Sequence, residues 1–426
     1  MDQITTIKAL QSGAFDDILS KLYACSGDAL RPYRQRFVDA IREFGREFGE
    51  SGDIALFSAP GRTELCGNHT DHQGGHVLAG SVDLDIIAVA ARRDNQQICL
   101  KSEGFAMDTV ALSDLAPQKE EENTSASLLR GIAAKFTAMG HPVTGFDAYT
   151  TSNVLRGSGL SSSAAFEVLV GSICSAFFAG GSVDAVQIAQ IGQYAENIYF
   201  GKPCGLMDQM ACSVGGVIAI DFQETAPKIT RADVDLAAEG YALCILDSGA
   251  DHADLTDAYA AIPAEMKQIA RALGRERLSQ IRQSELLAAI PELRRTCGDR
   301  AILRAMHYFT DDARVTRALR SLQNGYFSQY LEEIRESGRS SFQYLQNVSV
   351  YDDPEHMEVA LTIALCEEIL GGRGAVRVHG GGFAGTVQAY VPLDMLDEFR
   401  SKTESVLGKD SCHVLHIRSV GGVQIC

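Results

Sequence analysis

Val154-Leu155-Arg156-Gly157-Ser158-Gly159-Leu160-Ser161-Ser162-Ser163-Ala164-Ala165 joins a polar, strand-like run (Phe146 to Asn153) to an apolar, helix-like one (Ala164 to Phe178). Gly157 and Gly159 carry no Cβ, so the backbone there can turn sharply and approach a ligand closely. The serines then open the helix, where first-turn N–H groups lack intrahelical partners and the macrodipole adds partial positive charge. Forward-pointing donors, positive potential and hydroxyls together make a cradle for a phosphate. The simpler alternative is a turn followed by a Ser N-cap, and the length of the Gly-x-Gly-Leu-Ser-Ser-Ser-Ala run is what favours the cradle.

The bulk composition sets limits around this loop. The chain has 426 residues, more than one small core needs and enough for two domains. Hydrophobic residues make up 46% and charged ones 22%, the balance of a soluble globular protein. A formal net charge of −17 argues against nucleic-acid or anionic-membrane partners, though local donors can still hold an anionic nucleotide. Eleven cysteines, an odd number with no Cys-x-x-Cys pair, suggest neither a disulfide framework nor a zinc ribbon, and a reducing cytoplasm is expected. The first residues lack a basic segment followed by an apolar core, so no signal peptide is expected, and no apolar run is long enough to span a bilayer.

Three further stretches stand out. Gly61-Arg62-Thr63-Glu64-Leu65-Cys66-Gly67-Asn68-His69-Thr70-Asp71-His72-Gln73-Gly74-Gly75 follows a short strand (Ile54 to Ser58) and a turn expected at Ala59-Pro60-Gly61-Arg62. His69, Asp71, His72 and His76 invite a metal reading. However, the pattern His-x-His-x-Asp-His would need a histidine where Gly67 stands, which leaves the site without one wall. A polar loop without a ligand is the other local reading. Next, a helix expected from about Ser182, with that serine as N-cap, runs through Ala195-Glu196-Asn197 to Gly201-Lys202-Pro203, and a short helix near Gly205 carries Met207-Asp208-Gln209. Alone, Glu196 reads as a solvated helix face and Asp208 as a helix N-terminal stabiliser. Last, Gly380-x-Gly382-x-x-Gly385 matches a dinucleotide fingerprint, but Thr386 to Val391 reads as a strand where that fingerprint must open a helix.

Together these stretches resemble the GHMP kinases, the group of galactokinase, homoserine kinase, mevalonate kinase and phosphomevalonate kinase, and the triple serine is most like the galactokinases. The resemblance runs from about residue 38 to the C-terminus. It implies an α+β, two-domain GHMP kinase fold with the active site in the interdomain cleft. A helical extension (1–50) would pack on a ribosomal-S5-like domain with a left-handed βαβ unit (51–226), followed by a ferredoxin-like domain (227–426), with Gln223 to Pro227 as the boundary. It also implies ATP and Mg²⁺, a small sugar as acceptor and a monomer.

By the same resemblance, Gly157, Ser158, Gly159, Leu160, Ser161, Ser162 and Ser163 form the ATP phosphate loop, and Ser163 and Glu196 hold Mg²⁺. Asp208 orients or deprotonates the anomeric hydroxyl, and Arg62 offsets charge on the transferring group and keeps Asp208 ionised. Asn68, His69, Asp71, Gly205 and Tyr259 contact the sugar, and Gly380, Gly381 and Gly382 support the nucleotide loop. Several positions depart from the family pattern. Leu155 replaces a proline, Glu64 an asparagine, Asn68 a glutamate, His72 a tyrosine, Asp251 an arginine, His379 a threonine and Ala384 a glycine. No tryptophan is present to stack on adenine. Galactose is the expected acceptor. Galacturonate, whose carboxylate a neutral Asn68 would tolerate, is the alternative, and a non-catalytic sugar- and ATP-binding regulator is the rival from another class.

Overall fold

A computed structural model of the chain describes residues 1–49, 52–155, 159–202, 204–224, 226–250, 255–350 and 353–426. Three helices come first: α1 (Gln3–Ser12), α2 (Asp16–Tyr23) and α3 (Arg31–Phe48). Asp2 caps α1 by accepting from the Thr5 N–H at 2.9 Å. The stripe Phe37, Val38, Ile41 and Phe44 of α3, spaced by helical turns, is buried.

The larger sheet then forms from β1 (Ala55–Cys66), β2 (His76–Arg92), β3 (Gln97–Ser102) and β4 (Met107–Ala111). Helix α4 (Ser125–Ala138), strand β5 (Gly145–Ser152) and helices α5 (Ser162–Phe178), α6 (Ala185–Ala195) and α7 (Met207–Val214) follow. Strands β6 (Val217–Asp221) and β7 (Lys228–Ala232) extend the same sheet, and the chain reaches the smaller sheet at β8 (Tyr241–Asp247). Helices α8 (Thr256–Ala272), α9 (Gln283–Thr296), α10 (Asp299–Gln323), α11 (Phe327–Ser340) and α12 (Glu358–Leu370) lead to β9 (Ala375–Val378) and β10 (Thr386–Pro392). The last elements are α13 (Leu396–Leu407), β11 (Cys412–Leu415) and β12 (Val423–Gln424).

The eight-stranded sheet runs β12-β1-β2-β5-β3-β4, with β6 joined to the far end of β2 and β7 to β6. The four-stranded sheet runs β11-β8-β10-β9 and is antiparallel throughout. In the larger sheet β3 and β5 are parallel, joined through β4 and α4. Both faces of its centre are covered, and the period of two along each strand shows how. Leu56, Ile87, Val89 and Ala91 face α1 to α3, whereas Phe57, Ala59, Ala88 and Ala90 face the cluster built on α4 and α5. The N-terminal helices are therefore one wall of the core, as their amphipathic pattern suggests. In the smaller sheet Cys244, Leu246, Val376 and Val387 pack with α12 and α13.

Three local expectations need correction. Pro60 and Gly61 do not turn the chain: β1 continues to Cys66, and the ladder with β2 slips between Pro60 and Arg62. A bulge, not a turn, takes up the proline and glycine. Helix α6 is capped by Asp184, not Ser182; Asp184 Oδ1 accepts from the Gln187 N–H at 2.9 Å and the Gln187 side chain accepts in return from the Asp184 N–H at 3.0 Å. Finally, β7 pairs with β6, Asp221 opposite Lys228 and Val217 opposite Ala232, so the larger sheet keeps the chain beyond residues 223–227. The C-terminus also returns to it, Ser58 lying opposite Val423.

Candidate active site

Arg62 stands on β1 directly after the register slip. A Cβ on Gly61 would lie 2.9 Å from the Leu160 carbonyl, and the Arg62 N–H donates to that same carbonyl at 3.0 Å. Glycine thus lets the serine loop come down onto β1 just where Arg62 projects. Asp208 arrives from the opposite side, in the first turn of α7. Arg62 Nε donates to Asp208 Oδ1 at 2.8 Å and Nη2 to Oδ2 at 2.7 Å, a two-pronged contact suited to guanidinium and carboxylate. Arg62 Nη1 donates to the Gly159 carbonyl, and Ser161 Oγ donates to Asp208 Oδ2 at 2.7 Å.

Ser161 is held at φ 57°, a left-handed conformation that costs a non-glycine residue roughly 1–2 kcal/mol. It precedes α5 and its carbonyl accepts from the Ala165 N–H at 3.1 Å, but its hydroxyl caps no N–H of the helix and goes to Asp208 instead. Burial alone would raise the Asp208 carboxyl, but the Arg62 charge and the hydrogen bonds from Arg62 and Ser161 outweigh it and hold the group below the usual carboxylate range. Asp208 is therefore ionised at neutral pH.

These groups line a cavity of about 330 Å³ that also receives Ser162, Ser163, Glu196 and Lys202. Helix α6 widens into one π-type turn at Glu196–Phe200, a distortion often found at functional sites. It leaves the Glu196 side chain 5% exposed, with Lys202 Nζ 3.6 Å from Oε1. Behind it, Gln209 Nε2 donates to Glu196 Oε2 at 2.8 Å and to Glu167 Oε2 at 2.9 Å. Burial, with the charge of Glu196 added, pushes the Glu167 carboxyl well above its usual range. A cavity of about 500 Å³ beside α11 and α12 holds none of these side chains; there Arg335 and Arg339 pair with Glu332 and Glu336.

The second motif divides. Asp71 lines the same cavity and lies so close to Gly205 that a Cβ there would be 2.3 Å from Asp71 Oδ2. Burial pushes its carboxyl up, with His69 pulling the other way. His69 Nε2 lies 3.0 Å from the Gly381 carbonyl. Asn68 is 1% exposed and its amide is fully used. Nδ2 donates to Glu64 Oε1 at 3.0 Å and to the Gly380 carbonyl at 2.7 Å, and Oδ1 accepts from Asn347 Nδ2 at 2.8 Å and Ser341 Oγ at 3.3 Å. The expectation that Asn68 reads C6 of a sugar is corrected here, because no donor or acceptor of its amide is left to reach out. His76, part of the metal alternative, instead meets Asp312 Oδ1 at 2.9 Å through Nδ1.

Glu64 explains this arrangement. Its carboxylate receives Arg377 Nη2 at 2.5 Å, with both side chains buried. Glutamate and asparagine have thus exchanged places across one hydrogen bond relative to the family pattern. The third motif packs against the serine loop: a Cβ on Gly159 would lie 3.1 Å from His379 Nδ1, and one on Gly380 would lie 3.7 Å from Gly159 Cα. The Tyr259 ring lies against Gly381, where a Cβ would meet Cε1 at 2.7 Å, and its hydroxyl donates to the Gly382 carbonyl at 2.6 Å. Gly157, Ser158 and Asp251 lie outside the described residues. The sequence reading assigned nothing to Lys202 and Gln209, which line the cavity, or to Glu167 behind it; Gln209 stood in the quoted Met-Asp-Gln run, but nothing in the spacing showed where its amide goes.

A galactokinase of Streptomyces coelicolor is 31% identical to this chain over 371 residues, covering 85% of this chain and 91% of that protein. The chain belongs to the galactokinase family. Two family models match it, the galactokinase galactose-binding signature over residues 42–92 and the GHMP kinases N terminal domain over residues 127–216. The fold is shared with a Lactococcus lactis galactokinase solved with galactose (TM-score 0.77, 24% identity, 90% of this chain and 98% of that one). It is also shared with the Methanococcus jannaschii mevalonate kinase (TM-score 0.62, 13% identity, 86% and 99%). The α+β arrangement is thus that of the GHMP kinases. Within this galactokinase-family chain the signature segment contains both Arg62, which lines the cavity, and the Glu64–Asn68 exchange, which does not line it.

Proposed function

We propose that the chain is an ATP-dependent sugar 1-kinase that transfers the terminal phosphoryl group of MgATP to the anomeric hydroxyl of galactose. The observation that carries this reading is the Arg62–Asp208 fork, placed between the serine-led start of α5 and the Asp71–Gly205 contact. Phosphates would sit at the start of α5, where Ser162 and Ser163 open the helix and no side chain among the described residues caps its first N–H groups. The sugar would lie on the Asp71 and Gly205 side, so that its hydroxyl meets Asp208 between the two. Tyr259 does not line the cavity and would act by shaping the third motif.

Asp208 is a weak base because Arg62 holds it ionised. That suits phosphoryl transfer, whose loose transition state asks for alignment and charge stabilisation more than for a strong base. Asp208 would orient the hydroxyl and take its proton late, while Arg62 offsets negative charge on the group in flight. One hydroxyl and one carboxylate facing the same cavity, Ser163 and Glu196, fit Mg²⁺, which keeps several waters and shares its shell with nucleotide phosphates. When bound there it would draw together and neutralise the phosphate oxygens. The C6-carboxylate alternative loses its support, since Asn68 is turned into a protein network. The test is ADP release with ATP, Mg²⁺ and a panel of monosaccharides. Galactose-dependent release supports the reading, and sugar binding without turnover would assign the chain to the regulatory class instead.

A further inference from the structure

Gln209 follows Asp208 on α7, yet its side chain reaches between α5 and the end of α6. There a single amide nitrogen joins two carboxyl groups, Glu167 Oε2 at 2.9 Å and Glu196 Oε2 at 2.8 Å. Glu167 is 0% exposed, Gln209 1% and Glu196 4%. Glu167 Oε1 and Gln209 Oε1 are sealed from solvent and have no hydrogen-bond partner among the described residues. Helix α6 presses onto this group at Gly192, where a Cβ would lie 2.9 Å from Glu167 Oε2 and 3.3 Å from Gln209 Cγ.

Burying a carboxyl with an unpaired oxygen is unfavourable, and an apolar side chain of similar size would pack the α5–α6 contact without that cost. What the arrangement does provide is orientation. Glu167 takes one N–H of the Gln209 amide and so directs the other to Glu196 Oε2, which leaves Glu196 Oε1 for the cavity side, where Lys202 stands 3.6 Å away. Gln209 and Asp208 are consecutive, so one helical turn sets both the group that meets the sugar and the group that holds the cavity carboxylate.

We propose that Glu167 and Gln209 are positioning residues that fix the Glu196 carboxylate to receive a divalent cation beside the nucleotide phosphates. This rests on the kinase reading above. Removing a partner that orients a metal ligand typically weakens metal affinity by roughly 10–100-fold. Gln209→Leu should therefore raise the Mg²⁺ concentration for half-maximal rate by about tenfold or more, a larger effect than on kcat at saturating Mg²⁺. Independently of turnover, Mn²⁺ bound to the protein with a non-hydrolysable ATP analogue, counted by electron paramagnetic resonance, should weaken by a similar factor. Glu167→Leu should behave alike and stands in if Gln209→Leu does not fold. Glu167→Gln keeps an acceptor oxygen in place and should stay within about twofold on both readouts.

Unchanged Mg²⁺ demand and Mn²⁺ affinity in a folded Gln209→Leu or Glu167→Leu would overturn the proposal. So would a Glu167→Gln variant as impaired as Glu167→Leu, since the acceptor would then not be what matters. If the wild-type protein releases no ADP with any sugar, the kinase reading falls, while the Mn²⁺ measurement still decides the positioning role.

Discussion

Arg62 and Asp208 lie 146 residues apart in sequence and meet through two parallel hydrogen bonds of 2.7 and 2.8 Å, a carboxylate held charged by the guanidinium it faces. The Asp208 side chain is 31% exposed and that of Arg62 8%, so the pair is open to a ligand on the carboxylate side only. Asp208→Asn should keep nucleotide binding and lose galactose-dependent ADP release by about 10²–10⁴-fold, the usual reach of a positioned acid–base group. Steady-state rates and nucleotide titration of the purified variant check this. Turnover near wild type would remove Asp208 from the reaction.

Gly205 has no room for a side chain, since a Cβ would fall 2.3 Å from Asp71 Oδ2. The end of Asp71 can swing aside, so Gly205→Ala should cost little stability. The displaced carboxylate should nonetheless lower kcat/KM for the sugar by roughly 10–100-fold, the scale of an ångström-size misplacement. Nucleotide affinity should not change. Loss confined to the nucleotide side would place Asp71 and Gly205 outside the sugar site.

His76 links β2 to α10 and β6, with Nδ1 2.9 Å from Asp312 and Nε2 3.6 Å from Asp221. The hydrogen bond to Asp312 raises its pKa above the ordinary 6.5, against the effect of burial, and the charges of Asp312 and Asp221 add to the rise. A raised folded-state value means that the stabilisation is complete below 6.5 and is lost as pH climbs through the folded pKa. Wild type should therefore exceed His76→Gln in unfolding free energy by about 0.2–1 kcal/mol near pH 5.5, and the gap should close by pH ~9. Urea denaturation at several pH values measures it, and a gap that grows with pH would contradict the assignment.

How much of this was readable depended on sequence distance. The serine loop, Met207-Asp208-Gln209 and the glycine run at 380–382 each carry their chemistry within a few residues, and the structure brings them together around Gly159 and Arg62. The Pro60-Gly61 pair misled because turn chemistry and bulge chemistry use the same residues, and only the ladder with β2 tells them apart. The largest misreading came from Asn68. Its change from the family's glutamate looked like an opening toward the sugar, because its neighbour Glu64 is held by Arg377, 313 residues further along the chain, and no spacing rule connects those two.

That misreading yields a sharp prediction about positions 64 and 68. Glu64 is the only carboxylate shown on Arg377, whose Nε and Nη1 have no partner among the described residues. Glu64→Asn should therefore destabilise the protein by about 3–5 kcal/mol, the cost of leaving a buried charge unpaired. Asn68→Glu should also destabilise, since it sets a second carboxylate against Glu64; two charges about 4 Å apart repel by ~4 kcal/mol at an effective dielectric of 20. The double variant restores one carboxylate and one amide on opposite sides of the same hydrogen bond. If the two positions form one exchanged pair, the double variant should recover about 2 kcal/mol or more of the summed single losses, within the range of coupling between contacting residues. Denaturant unfolding of the four proteins gives that coupling directly. Losses that simply add would show that Glu64 and Asn68 serve separate needs, and a double variant that is stable but has lost galactose turnover would return Asn68 to the sugar site.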